Sequence, residues 1–172
     1  MNTHIGFTQI TNHTAVAFDR HASQILKKEY WRVCVSFRYY VGYKNSFKWV
    51  DVPKGFLTNG ADIPRVMWPI LPRHGEYDQA IALHDYLCEN RTISTPTGLV
   101  TLNRKQIDYI FYEALQVLKI AKWKLIIIRG GTDLYRWMNS GRYKVPTPNK
   151  LHLQTASETT KFFEGFVPTP NT

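Results

Sequence analysis

The residues EYWRVCVSFRYYVGY, from 29 to 43, constrain the fold most, because apolar and polar side chains alternate along them. Alternation places every second side chain on the same face of a strand, so the run predicts a half-exposed antiparallel strand. The following VGYKNSF segment predicts a turn into a second strand at about 47–52, and therefore a β-hairpin. The face that the pattern assigns to the core carries Trp31, Val33, Val35, Phe37, Tyr39 and Val41.

Helical periodicity replaces alternation in the second half of the chain. It predicts one helix over about residues 78–88 and a second that begins after Asn103, a residue that caps helix N-termini well. A third helix is predicted over 120–139, with an interruption at Gly130 and Gly131. Strands first and helices second predict an α+β fold: a small antiparallel β-sheet from the N-terminal half packed against two to three helices.

The periodicity ends after Gly141, where prolines and small polar residues become frequent. The sequence therefore predicts a single α+β domain over 1–140 and an irregular, extended C-terminal arm over 141–172. Arms of this composition are ordered mainly by partners, so we expect it to contact other proteins in an oligomer or assembly. We also expect truncation at Arg142 to leave the thermal stability of the domain nearly unchanged.

The chain is basic, with a net charge of +9 and a pI of about 9.6. This charge permits contact with nucleic acid, anionic lipid, the cell envelope or acidic protein surfaces, without choosing among them. No block of five or six consecutive Lys and Arg residues occurs, which excludes a dedicated nucleic-acid-binding tail. The two cysteines, Cys34 and Cys88, make no disulfide framework. No phosphate-binding glycine loop or nucleophile elbow is present.

A pair of polar residues interrupts the apolar face of the first predicted helix, in the stretch AIALHDYLCENR. At helical spacing His84 points into that face, and Asp85 lies at its edge. On the next helix Asp108 shares the apolar face that carries Phe111. Burying an unpaired carboxylate is costly, so the sequence predicts that His84 and Asp108 approach within about 2.6–3.2 Å.

This arrangement admits a catalytic interpretation. If Asp108 accepts the Nδ1–H of His84, the Nε2 atom is left to take a proton from water. Asp85 is then placed to hold a cation such as Ca²⁺ or Mg²⁺, which prefer oxygen ligands. The loop LTNGADIP would supply Asn59 and Asp62 as further ligands.

A structural interpretation stands beside it. A His84–Asp108 hydrogen bond also clamps two helices together, and Asp85 is then a surface charge. Arg65, just after the same loop, is a candidate for binding an anionic substrate or for a structural salt bridge. The residues themselves leave both interpretations open.

The stretch from Val52 to Asn90, followed by RKQIDYIFYEAL, resembles a domain family of unknown function that is common in tailed bacteriophages and prophages. The resemblance covers roughly residues 50–135. It lies in Val52-Pro53, Gly55-Phe56, Thr58, Ala61, Ile63-Pro64-Arg65, Tyr77, His84-Asp85, Leu87, Asp108 and Phe111. Three positions depart from the pattern, because Asn59 replaces an Asp, Asp62 replaces a Ser and Cys88 replaces a Tyr.

The trio of His84, Asp85 and Asp108 is also similar to the arrangement in calcium-dependent phospholipases of the secreted and parvoviral kinds. That similarity implies His84 as the base, Asp85 as a calcium ligand and Asp108 as the residue that orients the base. The glycine pattern of the phospholipase calcium loop is not reproduced.

These resemblances imply a bacteriophage protein, made in the host cytoplasm. The first expectation is a virion-associated component (tail, neck or ejection protein) or a host-interacting protein, with other phage proteins as partners of the arm. The alternative is a metal-assisted, Ca²⁺-type hydrolase that acts on lipid or cell-envelope esters during entry or lysis.

Overall fold

The computed structural model describes residues 9–12, 14–60, 75–138 and 145–155, and for 132–138 the backbone alone. These residues form seven strands and five helices. In chain order they are β1 (Val16–Phe18), α1 (Arg20–Leu26), β2 (Trp31–Val33), β3 (Phe37–Tyr40), β4 (Trp49–Val52), β5 (Leu57–Thr58), α2 (Asp78–Asn90), β6 (Thr92–Thr95), β7 (Gly98–Thr101), α3 (Arg104–Val117), α4 (Lys122–Met138) and α5 (Pro148–Thr155). None of the helices within these ranges has the length and apolar character needed to cross a membrane.

The strands form two small antiparallel sheets, which confirms the predicted α+β class. One sheet has the order β1-β2-β5, and the other has the order β3-β4-β6-β7. The predicted hairpin is β3 and β4, in which Phe37 pairs with Val52 and Tyr40 with Trp49. The main core lies between the second sheet and helices α2 and α3.

The single long strand expected at 29–43 is in fact two strands in different sheets. β2 ends at Val33, which is fully buried, and β3 begins at Phe37, which is also buried. Val35, assigned to the same face by the alternation, is 46% exposed. Alternation indicates which face of a strand is buried but not which strand is its neighbour. It therefore cannot detect a change of pairing partner.

The helical half differs from expectation in two places. The connection between α2 and α3 contains the hairpin β6–β7, in which Thr92 pairs with Thr101. Helix α4 continues through Gly130 and Gly131 instead of breaking there. The predicted start of α3 is confirmed: the side chain of Asn103 accepts from Gln106 N, and the Gln106 side chain accepts from Asn103 N, a reciprocal capping box.

Part of the segment predicted as an irregular arm is helical. Helix α5 packs near α1, and Leu153 joins Ala22 and Leu57 in a second, smaller apolar cluster apart from the main core. The guanidinium of Arg32 donates to Leu153 O from both Nη atoms, at 3.1 and 3.2 Å. The prediction that truncation at Arg142 leaves the thermal stability nearly unchanged therefore needs revision, because that truncation removes these contacts.

Candidate functional site

The centre of the candidate site is the contact between α2 and α3. Nε2 of His84 lies 3.1 Å from Oδ1 of Asp108, within the expected range. The His84 ring also stacks on Phe111, with centroids 4.5 Å apart and an interplanar angle of 28°. Asp108 and Phe111 are three residues apart on α3, so one face of that helix supplies both contacts. The helical period therefore placed this pair correctly.

The predicted atom assignment within the pair is wrong. Nε2 faces Asp108, whereas the sequence-based expectation was that Nδ1–H would donate to the carboxylate and leave Nε2 available. Position along a helix determines which face His84 occupies. It does not determine the side-chain torsions that choose which ring nitrogen meets the partner.

Two further side chains complete the environment of the pair. Nε of Arg104 lies 3.7 Å from Asp108 Oδ1, an i, i+4 contact along α3. The Sγ atom of Cys88, one turn along α2, lies 3.6 Å from His84 Nε2. The Asp108 side chain is 2% exposed and that of His84 13%. The carboxylate is thus enclosed between two basic groups.

The surroundings of His84 favour its charged form. Burial by itself disfavours the imidazolium and lowers the pKa of His84. The charge of the Cys88 sulfur, the hydrogen bond with Asp108 and the charge of Asp85 outweigh that effect and raise the pKa to about 9. The raised pKa favours an imidazolium that donates to Asp108. A protonated imidazole cannot accept a proton from water, so this geometry suits a charged clamp better than a general base.

Asp85 was expected at the edge of the apolar face but is buried, with 3% exposure. Its Oδ2 accepts from the Thr58 hydroxyl at 2.6 Å, and that hydroxyl accepts from Gly60 N at 3.2 Å. With its amide oriented to satisfy both neighbours, Asn59 donates to the same Oδ2 at 3.1 Å and accepts from Lys28 Nζ at 2.6 Å. Asp85 is buried because strand β5 and Asn59, the residue directly after it, cover that side of α2.

The contacts of Asp85 and Asn59 also bear on whether this region can bind a metal ion. Within the described ranges, no cluster of three or more His, Cys, Asp or Glu side chains is arranged to hold a metal ion. The amide oxygen of Asn59, expected to be a ligand, accepts from the Lys28 ammonium, whose charge opposes a second cation nearby. Asp62 and Arg65, the other predicted site residues, lie outside the residues that the structure describes.

Sequence reasoning missed a second hydrogen-bonded carboxylate on α3, that of the half-buried Glu113. Oε1 of Glu113 accepts from Gln9 Nε2 at 2.8 Å, from the Tyr39 hydroxyl at 2.7 Å and from Gly42 N at 2.7 Å. The sequence pattern predicts that Glu113 lies on the solvated surface of the helix. The three groups that donate to it are all far from it along the chain. Arg104 was also missed, although its i, i+4 spacing from Asp108 is a usable signal.

Comparison with known proteins places these residues in a family. The model of the family described as "Protein of unknown function (DUF1353)" matches residues 31–128, more than half of the chain. An uncharacterized protein of Sinorhizobium fredii, y4jT, is 42% identical over 50 residues, which are 28% of this chain and 15% of that relative. No solved structure matches. The matched family range contains His84, Asp85 and Asp108.

Proposed function

This chain belongs to the DUF1353 family of proteins of unknown function, and we propose that it is a virion-associated or host-interacting bacteriophage protein. In this proposal the chain is made in the host cytoplasm and assembles with other phage proteins as a tail, neck or ejection component. The polar cluster of His84, Asp85 and Asp108 stabilises the fold and catalyses no reaction. The ordered resemblance of residues 50–135 to a pattern common in tailed phages and prophages supports the phage assignment.

One observation supports the non-catalytic role most strongly: both carboxylates of the cluster are buried and are bonded to neighbouring protein groups. Asp108 accepts from His84 and lies beside Arg104, while Asp85 accepts from Thr58 and Asn59. A hydrolytic site needs a base that is unprotonated at working pH and open to water. His84, with its pKa raised to about 9, does not meet the first condition.

Deletion of the gene from its phage or prophage, followed by complementation, tests this proposal. Mass spectrometry of purified wild-type particles should detect the protein if it is a virion component, and the deletion should reduce assembly or infection. A His84→Gln variant keeps a donor for Asp108 but has no titratable ring. We expect it to complement to the extent that it folds. A folded His84→Gln protein that fails to complement would refute the non-catalytic role.

A second candidate function is the metal-assisted hydrolase acting on lipid or envelope esters. The observation that favours it is the adjacency of the His84–Asp108 pair to a second carboxylate, Asp85, with Nδ1 of His84 not used by Asp108. Calorimetric titration with Ca²⁺ and Mg²⁺ tests it directly. Saturable binding at or below millimolar concentration, lost in Asp85→Asn, would support the hydrolase. Its absence in the folded protein would remove that candidate.

A further inference from the structure

The β3–β4 hairpin has one face in the core and an aromatic, basic face outside it. Phe37 and Tyr39 on β3, with Val50 and Val52 on β4, are buried in the core. Side chains alternate along a strand, so their neighbours point away from the core. These neighbours form two cross-strand pairs, Tyr40 with Trp49 and Arg38 with Asp51.

The outward face continues into the loop that joins the two strands. Val41 N donates to Lys48 O at 2.8 Å, so the pairing extends one step beyond β4. Phe47 precedes Trp49 by two residues and lies on the same side by alternation, with 71% of its surface exposed. We call Arg38, Tyr40, Phe47, Trp49 and Asp51 the hairpin face.

The loop is held in one conformation by a buried serine. The Ser46 hydroxyl donates to Val41 O at 2.7 Å and lies 2.9 Å from Lys48 O, and it accepts from Lys48 N at 3.0 Å. These contacts fix the backbone on both sides of Phe47 and keep its ring in solvent. An ordered backbone that exposes a large aromatic side chain is a pre-organised contact surface, because little entropy is lost when a partner binds.

The charges of the hairpin suit an anionic partner. Arg38 forms two hydrogen bonds with the Asp51 carboxylate, at 2.7 and 2.9 Å, so the acidic residue is already neutralised. The Arg38 guanidinium also lies 5.0 Å from the Trp49 ring. Lys44 and Lys48 are exposed and have no acidic partner in the described part of the chain. The hairpin therefore carries a net positive charge within a chain whose net charge is +9.

We propose that the hairpin face binds single-stranded nucleic acid, with bases stacked on Phe47, Trp49 and Tyr40 and phosphates contacted by Lys44 in the adjoining loop. Single strands are bound in general by aromatic side chains on a sheet combined with flanking positive charge. A duplex hides its base faces and could use only the positive charge. This inference does not depend on the function proposed above.

Fluorescence anisotropy with a labelled oligothymidylate of 20 nucleotides tests the proposal on the full chain. Replacing one stacking residue, Phe47→Ala, should weaken binding about five- to one-hundred-fold. Its matched control is Tyr109→Ala, because Tyr109 is 68% exposed but lies on α3. This control should bind like the wild type. Both side chains are solvent-exposed, so both variants should fold, and circular dichroism checks that they do.

The salt dependence supplies a second readout. Lys44→Gln should reduce the slope of log K against log salt by about 0.7, the value for one phosphate contact with a single strand. Absence of binding at low salt, or equal weakening by Phe47→Ala and Tyr109→Ala, would overturn the proposal. So would equal affinity for a duplex of the same length. Phe47-dependent binding of heparin or of phosphatidylglycerol vesicles at equal strength would assign the face to an anionic glycan or lipid instead.

Discussion

Replacing Asp108 by Asn removes the buried negative charge on which the α2–α3 contact depends, while nearly preserving side-chain size. Asp108 is 2% exposed, with His84 Nε2 at 3.1 Å and Arg104 Nε at 3.7 Å. Breaking a buried ion pair by removing one partner costs about 3–5 kcal/mol, because the other charge stays buried. Asparagine keeps one acceptor oxygen, so the cost of this substitution should be lower than that of removing the side chain altogether.

The raised pKa of His84 points to a loss of similar size for Asp108→Asn. A rise from 6.5 to about 9 corresponds to about 3–4 kcal/mol, at about 1.4 kcal/mol for each pH unit. Cys88 and Asp85 contribute to that rise, so Asp108 accounts for only part of it. Together with the lost contact to Arg104, we expect Asp108→Asn to lower the free energy of unfolding by about 2–4 kcal/mol at neutral pH.

The loss should depend on pH in a definite direction. The folded-state pKa of His84 is higher than its unfolded value, so its contribution is fully present below pH 6.5 and disappears as the pH rises through about 9. The difference between wild type and Asp108→Asn should therefore be larger at pH 6 than at pH 10. Urea unfolding at both pH values, followed by circular dichroism, measures it.

The matched control is Glu76→Gln, which removes a carboxylate that is 53% exposed and paired with Lys124. Exposed pairs of this kind contribute less than about 1 kcal/mol. A loss for Asp108→Asn that is no larger than the loss for the control would refute the charged clamp. A large loss of equal size at both pH values would also refute it.

Two further charged groups and the effect of Ca²⁺ give three more tests. Lys150 is paired with Glu89 and lies 4.9 Å from the Phe56 ring, so Lys150→Ala should lower the free energy of unfolding by about 3–5 kcal/mol. A Lys150→Met, Glu89→Gln double variant should recover much of that loss in urea unfolding. Glu113→Ala leaves three donors without their acceptor and should lower the free energy of unfolding by about 2–4 kcal/mol, against little change for an exposed carboxylate. Millimolar Ca²⁺ should leave the melting temperature unchanged in wild type and in Asp85→Asn alike, and a rise confined to wild type would favour the hydrolase.

The helical period made the central contact predictable from sequence. A polar residue on an apolar helix face must find a partner, and His84 and Asp108 were each other's nearest candidates. The α+β class followed in the same way from the order of alternating and helical segments. Both inferences concern which face of an element is buried, which a sequence pattern reports directly.

Contacts between distant segments were not predictable by that reasoning. Lys150 and Glu89 are 61 residues apart, and the pattern around Lys150 is that of a proline-rich tail. Glu113 lies beside buried residues of α3, and its donors come from the N-terminal segment and the β3–β4 hairpin. The break between β2 and β3 depends on which strands pair, and alternation carries no information on pairing.

The state of His84 distinguishes a structural clamp from a catalytic base, and an NMR titration of its ring measures that state directly. His84→Gln identifies the signal by its disappearance. A pKa near 9 in wild type, with a clear decrease in Asp108→Asn, is the result expected for a charged pair that holds α2 against α3. A pKa between 6 and 7 that is unchanged by Asp108→Asn would contradict the clamp and leave His84 as a base available near neutral pH.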